Sequence, residues 1–255
     1  ASISGFGHDS LPEYKSRPSY DMIAQAYSGF MSITGTESGE KVRAGSSIGD
    51  IVAGHQCAIS ILAALHHRRR TGEGQLIDQA MVDGLIYTLE NAIVRYSVSG
   101  ETPVPLGTKH PSVTPFQAFK TKDGDIVIPV GNNNLWKKFC TVLGGDEWAE
   151  DERFATNELR TDNRDVLIDL IQTVLTKKTC AEWQTLLSEH GIPNSPVNSI
   201  PQVVADENLK YRKMIVSVEQ PTAGTLTVAG SPFKMSGTPG EVRAPAPLLG
   251  EHTRE

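Results

Sequence analysis

The stretch Val42-Arg43-Ala44-Gly45-Ser46-Ser47-Ile48-Gly49-Asp50, continuing as Ile51-Val52-Ala53-Gly54-His55, decides how the chain is read. A run of small residues delivers a lone carboxylate, Asp50, to the start of a long helical pattern. Gly45 and Gly49 let the backbone bend tightly and approach a ligand closely. Beyond Asp50, the residues Ile51, Ala58, Ile61, Leu62 and Leu65 keep helical spacing. Asp50 is therefore expected at a helix N-terminus. One reading makes it a helix cap, since Asp is among the preferred capping residues. The other makes it a carboxylate that the helix dipole favours, beside a glycine-lined pocket and available for chemistry.

Outward from this point, the helix from Asp50 is expected to run to about Arg70, with Arg68-Arg69-Arg70 complementing the dipole in its last turn. Thr71-Gly72-Glu73-Gly74 ends it. Upstream, residues 1–10 read as a short strand entering a glycine turn. Gly5-Phe6-Gly7 opens like a dinucleotide fingerprint, but Ser10 occupies the third glycine position. Tyr20 to Met31 has helical spacing, and residues 35–49 form a loop. Downstream, Gln75-Leu76-Ile77-Asp78 reads as a strand and Met81 to about Ser97 as a helix. Residues 100–115 are a linker rich in Pro, Gly and Thr.

The character then changes. Residues 116–120 and 125–130 are strands joined by a turn at Lys122-Asp123-Gly124. Helices are expected at 133–143, 163–176 and 179–190. Asn163 is the N-cap of the second, and Thr179 with Glu182 makes a capping box on the third. Gly191-Ile192-Pro193 breaks the last. A helix near 199–206 and β-like runs at 213–219 and 225–229 follow, and a further helix is expected to begin at the chain end. The division reads as 1–112, part of a large domain with its linker; 113–192, a small domain; and 193–255, a return to the large one.

Composition bounds the rest. The 255 residues are 38% hydrophobic and carry a net charge of -6, so a basic face for nucleic acid is not expected. No apolar run is expected to approach the ~18 residues of a membrane span, and no membrane partner is expected. Cys57, Cys140 and Cys180 are scattered and odd in number, which reads as reduced thiols. Neither they nor the dispersed histidines have metal-ligand spacing, so no metal is expected. A cytoplasmic location follows, with a mitochondrial one as the alternative. The chain begins at Ala1 inside a strand, and a preceding segment is expected.

Several stretches together resemble one family. They are Ser4-Gly5-Phe6-Gly7, Arg17-Pro18-Ser19-Tyr20-Asp21, Gln25-Ala26 with Ser28-Gly29, Ile48-Gly49-Asp50, Arg70-Thr71-Gly72-Glu73-Gly74-Gln75, Pro115-Phe116-Gln117-Ala118-Phe119, Gly131-Asn132, and Leu248-Leu249-Gly250-Glu251-His252-Thr253. The pattern resembles the class III CoA-transferases, the group of formyl-CoA transferase and the carnitine CoA-transferases. Within it, residues 114–134 and 156–160 look most like the succinyl-CoA–glutarate branch. The resemblance implies an α/β fold: a Rossmann-like large domain interrupted by a smaller α+β domain, in an interlocked homodimer. It implies CoA transfer from an acyl-CoA to a small carboxylic or dicarboxylic acid, with the CoA thioester as substrate and no permanently bound cofactor.

The resemblance also assigns roles. Asp50 matches the family nucleophile, which passes through an aspartyl-CoA thioester. Tyr20 and Asp21 match residues near the substrate. The α-methylacyl-CoA racemases share the fold and are the alternative, but they place a His at the position of Tyr20. A tyrosine, whose ordinary pKa is near 10, is a poor replacement base. The family covers its Asp with a mobile glycine-containing loop, matched here by Gly107-Thr108-Lys109-His110-Pro111-Ser112. The glycine run of formyl-CoA transferase is missing, so a stiffer lid is expected, with Lys109 or His110 available to a substrate carboxylate. A plain interdomain linker is the other reading. Arg43 is expected to meet a dicarboxylate or CoA phosphate, or to form an ordinary surface ion pair.

Overall fold

The structure is a computed structural model and describes residues 1–253, so the helix expected at the chain end runs into residues outside it. It is a mixed helix-and-strand, α/β, molecule. In the first part, the elements are β1 (Ser2–Ser4), α1 (Pro12–Lys15), α2 (Asp21–Tyr27), α3 (Ile48–Thr71), β2 (Asp78–Ala80), α4 (Met81–Tyr87) and α5 (Ala92–Ser99). β1 and β2 pair in parallel, with Ile3 opposite Gln79. β2 therefore starts at the last residue of the strand predicted at 75–78, because β1 sets the register. The helix predicted from Tyr20 to Met31 ends at Tyr27, and Phe30–Ser32 forms a separate 3₁₀ turn. The single helix predicted over 81–97 is two, broken where Glu90 takes a φ of 50°.

α3 packs differently from its apolar spacing. The residues it buries are Gly49, Ala53 and Cys57, a small-residue face at i, i+4 and i+8. That face meets α4. Gly84 of α4 sits so close that a Cβ there would lie 3.3 Å from Val52 Cγ1 and 2.8 Å from Gln56 Oε1. The helically spaced apolar residues Ile51, Ile61, Leu62 and Leu65 are 38–66% exposed. No Asp, Glu, Lys or Arg lies between Asp50 and Arg68. By length and composition alone, α3 is thus long and apolar enough to cross a membrane, which corrects the expectation of no such segment.

The second part contains β3 (Phe116–Lys120), β4 (Asp125–Pro129), α6 (Asn133–Leu143), α7 (Asp146–Glu150), α8 (Asn157–Asp162), α9 (Arg164–Leu175), α10 (Cys180–Glu189) and β5 (Ser195–Pro196). β3 and β4 form the expected hairpin, with Lys120 opposite Asp125. β5 adds to β4, pairing Pro196 with Ile126, so this sheet continues past the expected boundary at 192. Asn132 caps α6 through Leu135 N–H, and Thr179 with Glu182 forms the predicted capping box on α10. Asn163 precedes α9, but its side chain makes no cap. Its amide donates to the carbonyls of Arg153 and Leu159 instead. α7 and α8 are short and escape periodicity. The chain continues through α11 (Ile200–Ala205), α12 (Glu207–Tyr211) and the hairpin of β6 (Ile215–Gln220) and β7 (Gly224–Ala229).

The two parts differ in how they are held. The core between the 116–130 hairpin and α6–α10 contains fifteen buried residues, among them Phe119, Trp136, Phe139, Phe154 and Trp183. Each such side chain contributes roughly 1.5–3 kcal/mol on burial. The core beside α3 has five: Ala24, Ala53, Met81, Val82 and Leu85. Polar contacts therefore weigh more in the first part.

Arg160 joins the linker to the larger core. It is fully buried. Its guanidinium donates to Thr114 O at 2.8 Å, Phe154 O at 3.0 Å and Asn133 Oδ1 at 2.9 Å, and lies over the Trp136 ring. Burial lowers its pKa from the ordinary arginine value. Arg164 adds bonds to Thr114 Oγ1 and His110 O. Replacing Arg160 by Ala orphans two carbonyls of buried residues, Thr114 and Phe154, each costing about 1–3 kcal/mol, and also removes the packing on Trp136. Urea unfolding followed by tryptophan fluorescence should show a loss of about 3 kcal/mol or more. Arg160→Lys should recover less than half, because an ammonium cannot fork to three sites. A loss under about 1 kcal/mol contradicts this account.

Candidate active site

α3 opens at Ile48, after Ser47, so Asp50 is its third residue and not its cap. Ser47 supplies a carbonyl to Ile51 N–H at 3.1 Å, but its hydroxyl makes no capping bond. The cap comes from another helix. Asp21, the first residue of α2, accepts from Gly49 N–H through Oδ1 at 2.8 Å. Its Oδ2 accepts from Gln25 Nε2 at 2.8 Å. Gln25 Oε1 in turn accepts from Ala44 N–H at 2.9 Å. Both side chains are buried, Gln25 completely. One carboxylate and one amide thus hold both ends of the segment that leads into α3. Gly49 makes this approach feasible: a Cβ there would lie 3.1 Å from Asp21 Oδ1 and 3.3 Å from Leu85 Cδ1.

Asp50 itself is exposed. Among the described residues, no side chain hydrogen-bonds or ion-pairs with its carboxylate, and its backbone N–H has no acceptor. The two preceding N–H groups are taken: Ile48 N–H by Ser46 O at 2.8 Å, and Gly49 N–H by Asp21. The arrangement is a free carboxylate beside one free donor, at the positive end of a 24-residue helix. Such a pair can attack an electrophilic carbonyl and stabilise negative charge on its oxygen.

Tyr20 precedes Asp21 and is 79% exposed. It borders an open apolar groove with Met22, Ile23 and Tyr27. Arg17 borders the same groove, its guanidinium 4.9 Å from the Phe6 ring centroid. Both oxygens of Asp21 already accept internal bonds. Among the described residues Arg43 makes no ion pair. Its Nη1 donates to Ala44 O at 3.0 Å and Gly45 O at 3.4 Å, bracing its own loop.

The 107–112 loop is fastened down. Gly107 has a φ of 62°, and its N–H donates to Gly35 O at 3.0 Å. Lys109 Nζ pairs with Glu37 at 2.7 Å, and its side chain is only 17% exposed. The His110 ring stacks on Phe116 at 5.0 Å, and its Nδ1 accepts from Ser112 N–H at 3.2 Å. Both side chains thus have internal partners in this structure. The structure therefore gathers Tyr20, Asp21, Gly49 and Asp50 in one place, with Arg43 bracing the approach. Gly107, Lys109 and His110 form a second group, and among the described residues no hydrogen bond or ion pair joins it to Asp50. Gln25 and Glu37 were missed. Gln25 was findable: it lies four residues after Asp21, on the same helix face. Among the described residues, no cluster of three or more His, Cys, Asp or Glu could hold a metal.

Known proteins share this pattern along the whole described chain. The family profile described as CoA-transferase family III matches residues 1–253. The chain is 36% identical over 251 residues to the succinate–glutarate CoA-transferase of Agrobacterium fabrum, covering 98% of this chain and 62% of that protein. It is 36% identical to the succinyl-CoA:mesaconate CoA-transferase of Haloarcula hispanica, covering all of this chain and 64% of that one. Among solved structures, a CaiB/BaiF family protein from Brucella suis superimposes with a TM-score of 0.82 at 34% identity, over 98% of this chain and 65% of that one. The chain belongs to CoA-transferase family III. It spans less than two thirds of the length of these curated relatives.

Gly49→Ala tests the close approach at α3. In a helix interior, Gly to Ala ordinarily stabilises by about 1 kcal/mol. Here the sign should reverse, to a loss of about 1–3 kcal/mol, because neither buried Asp21 nor buried Leu85 has room to retreat. Chemical denaturation measures this, and a gain in stability refutes it.

Proposed function

We propose that this chain carries the nucleophilic half of a CoA-transferase, with Asp50 as nucleophile. The observation behind the proposal is the exposed Asp50 carboxylate, beside its own unbonded N–H, at a helix start seated by Asp21. The Asp50 carboxylate attacks the acyl-CoA carbonyl, and the carbon–sulfur bond breaks to give a mixed anhydride and CoA thiolate. The thiolate attacks the Asp50 carbonyl of the anhydride and releases the donor acid as its carboxylate. An aspartyl-CoA thioester remains. The acceptor carboxylate attacks this thioester, CoA thiolate leaves again, and a second mixed anhydride forms. The returning thiolate takes the acceptor acyl group and frees Asp50. No water is consumed and the thioester energy is retained. Each addition places negative charge on a carbonyl oxygen, within the reach expected of the Asp50 N–H and the helix dipole.

The relatives named for succinate–glutarate and succinyl-CoA:mesaconate exchange support succinyl-CoA as donor and a dicarboxylic acid as acceptor. The exposed Tyr20 lies where acyl-CoA would approach, and its phenol favours transfer over α-proton abstraction. Residues 107–112 act as a lid whose position depends on Gly35 and Glu37. The working organisation is a Rossmann-like domain in 1–112 and 193–255 around a small domain in 113–192, the latter extended to take in β5. The parallel β1–β2 pair supports the first assignment. An interlocked homodimer would cover the exposed apolar face of α3. The three free cysteines support a reducing, cytoplasmic setting.

Incubation of the full-length protein with succinyl-CoA should leave CoA covalently attached to the peptide containing Asp50, read by mass spectrometry. Asp50→Asn should abolish the adduct and lower transfer at least about a thousandfold. In deuterated water, an α-chiral acyl-CoA should acquire no deuterium at its α-carbon. Exchange without an adduct would replace this reading with racemase chemistry. Gly107→Val tests the lid. A Cβ there meets Glu37 Cγ at 3.0 Å on a backbone with φ of 62°. The ratio of thioester hydrolysis to transfer should rise severalfold, about 3–10 times, as water gains access to the anhydride. An unchanged ratio removes the lid from the mechanism.

A further inference from the structure

Gln25 is fully buried, yet it takes no part in the chemistry proposed for Asp50. Its amide spans two chain segments. Nε2 donates to Asp21 Oδ2 at 2.8 Å within α2, and Oε1 accepts from Ala44 N–H at 2.9 Å in the loop before α3. Asp21 Oδ1 then accepts from Gly49 N–H at 2.8 Å. The links form a closed circuit: Ala44, Gln25, Asp21, Gly49, and back along the chain through Gly45 to Ile48. Both ends of the turn that delivers Asp50 are therefore fixed by one buried pair. The amide's orientation is dictated by chemistry. Turned the other way, Oε1 would face the Asp21 carboxylate and Nε2 the Ala44 N–H, setting acceptor against acceptor and donor against donor.

The surrounding core does not do this job. Its buried members are Ala24, Ala53, Met81, Val82 and Leu85, of which two are alanines. Hydrogen bonds to a charged group contribute more per contact than such small side chains. By filling Asp21 Oδ2, Gln25 aims Oδ1 at Gly49. With Gly49 N–H occupied, the N–H of Asp50 is the one left open in the first turn. We infer that Gln25 is a positioning residue for Asp50: through Asp21 and Ala44, it sets the location of the nucleophile and of the single open N–H beside it. This inference rests on the reading of Asp50 as nucleophile.

The test exchanges donor and acceptor in the full-length protein. Gln25→Glu keeps the shape and the acceptor for Ala44, but sets a second carboxylate against Asp21. Combining it with Asp21→Asn restores every bond. The new amide at position 21 accepts from Gly49 N–H and donates to the new carboxylate at position 25, which still accepts from Ala44 N–H. Per folded molecule, counted from the thermal transition, Q25E should lower kcat about 10- to 100-fold, the scale of a misplaced reacting group. KM for succinyl-CoA should change by less than about twofold, since no contact with CoA is altered. The D21N/Q25E double variant should recover most of kcat and most of the CoA adduct on Asp50. If Q25E does not fold, Gln25→Met removes both bonds at similar volume and is read by the same split of kcat and KM. Unchanged kcat per folded molecule, or a loss that the double variant does not repair, would overturn the positioning role. Asp50→Asn separates the two readings. If it still transfers CoA, the nucleophile reading falls. If it is inactive while Q25E keeps full kcat, only the role of Gln25 falls.

Discussion

The hydrogen bond from Gly49 N–H to Asp21 Oδ1 is the constraint on which the site depends. A helix start leaves several N–H groups without intrahelical partners. In most helices the preceding residue's side chain answers one of them. Here the Ser47 hydroxyl does not, and a carboxylate from the previous helix does. That substitution joins two elements that a local cap would have left independent. It requires a glycine at 49, because any Cβ would press on Asp21 and Leu85. It also places Asp50 one position further into the turn, where its own carboxylate is not spent on capping.

The two parts of the chain solve stability in different ways, and the linker shows where they meet. The core around Trp136, Phe139 and Trp183 rests on large side chains excluded from water. The buried Arg160 is its polar exception, and its three acceptors include Thr114 of the linker. Arg164 holds Thr114 and His110 as well. At its other end the linker is tied to the first part by Gly107 to Gly35 and by Lys109 to Glu37. The 107–112 loop is therefore set between two anchors, one buried and cationic, the other a half-exposed ion pair. The second is the weaker, because an exposed pair gains less in water.

The sequence made much of the fold legible and less of the site, and the division follows physical scale. Elements with strong local signals were placed well. The 116–129 hairpin has a turn and alternating faces, α6 has Asn132, and α10 has its Thr179–Glu182 box. Errors arose where tertiary contacts decide. β2 was shifted because its partner sets the register, and α3 buries Gly49, Ala53 and Cys57 rather than its helically spaced Ile51, Ile61 and Leu65. Apolar periodicity cannot see that a neighbouring helix approaches along the small residues. The same limit applies to the site. Asp50 and Tyr20 stand out by motif, whereas the pairing of Lys109 with Glu37 and the stacking of His110 on Phe116 come from the fold and leave no mark in the sequence.

Asp21 and Asp50 are alike in chemistry and opposite in circumstance. Asp21 is buried, and each of its oxygens accepts a bond. Asp50 is exposed, and among the described residues its oxygens accept none. An anchor and the nucleophile proposed for Asp50 need these opposite conditions. A carboxylate that must hold backbone in place does so through filled acceptor sites, in surroundings where losing one is costly. A carboxylate that must attack a carbonyl needs a lone pair free and a path for the electrophile. If Asp50 capped its own helix, the two demands would compete for the same oxygens. Moving the cap to Asp21, and fixing Asp21 with Gln25, removes that competition. The helix end keeps one open donor and its dipole beside Asp50, while the turn is ordered by the buried Asp21 and Gln25.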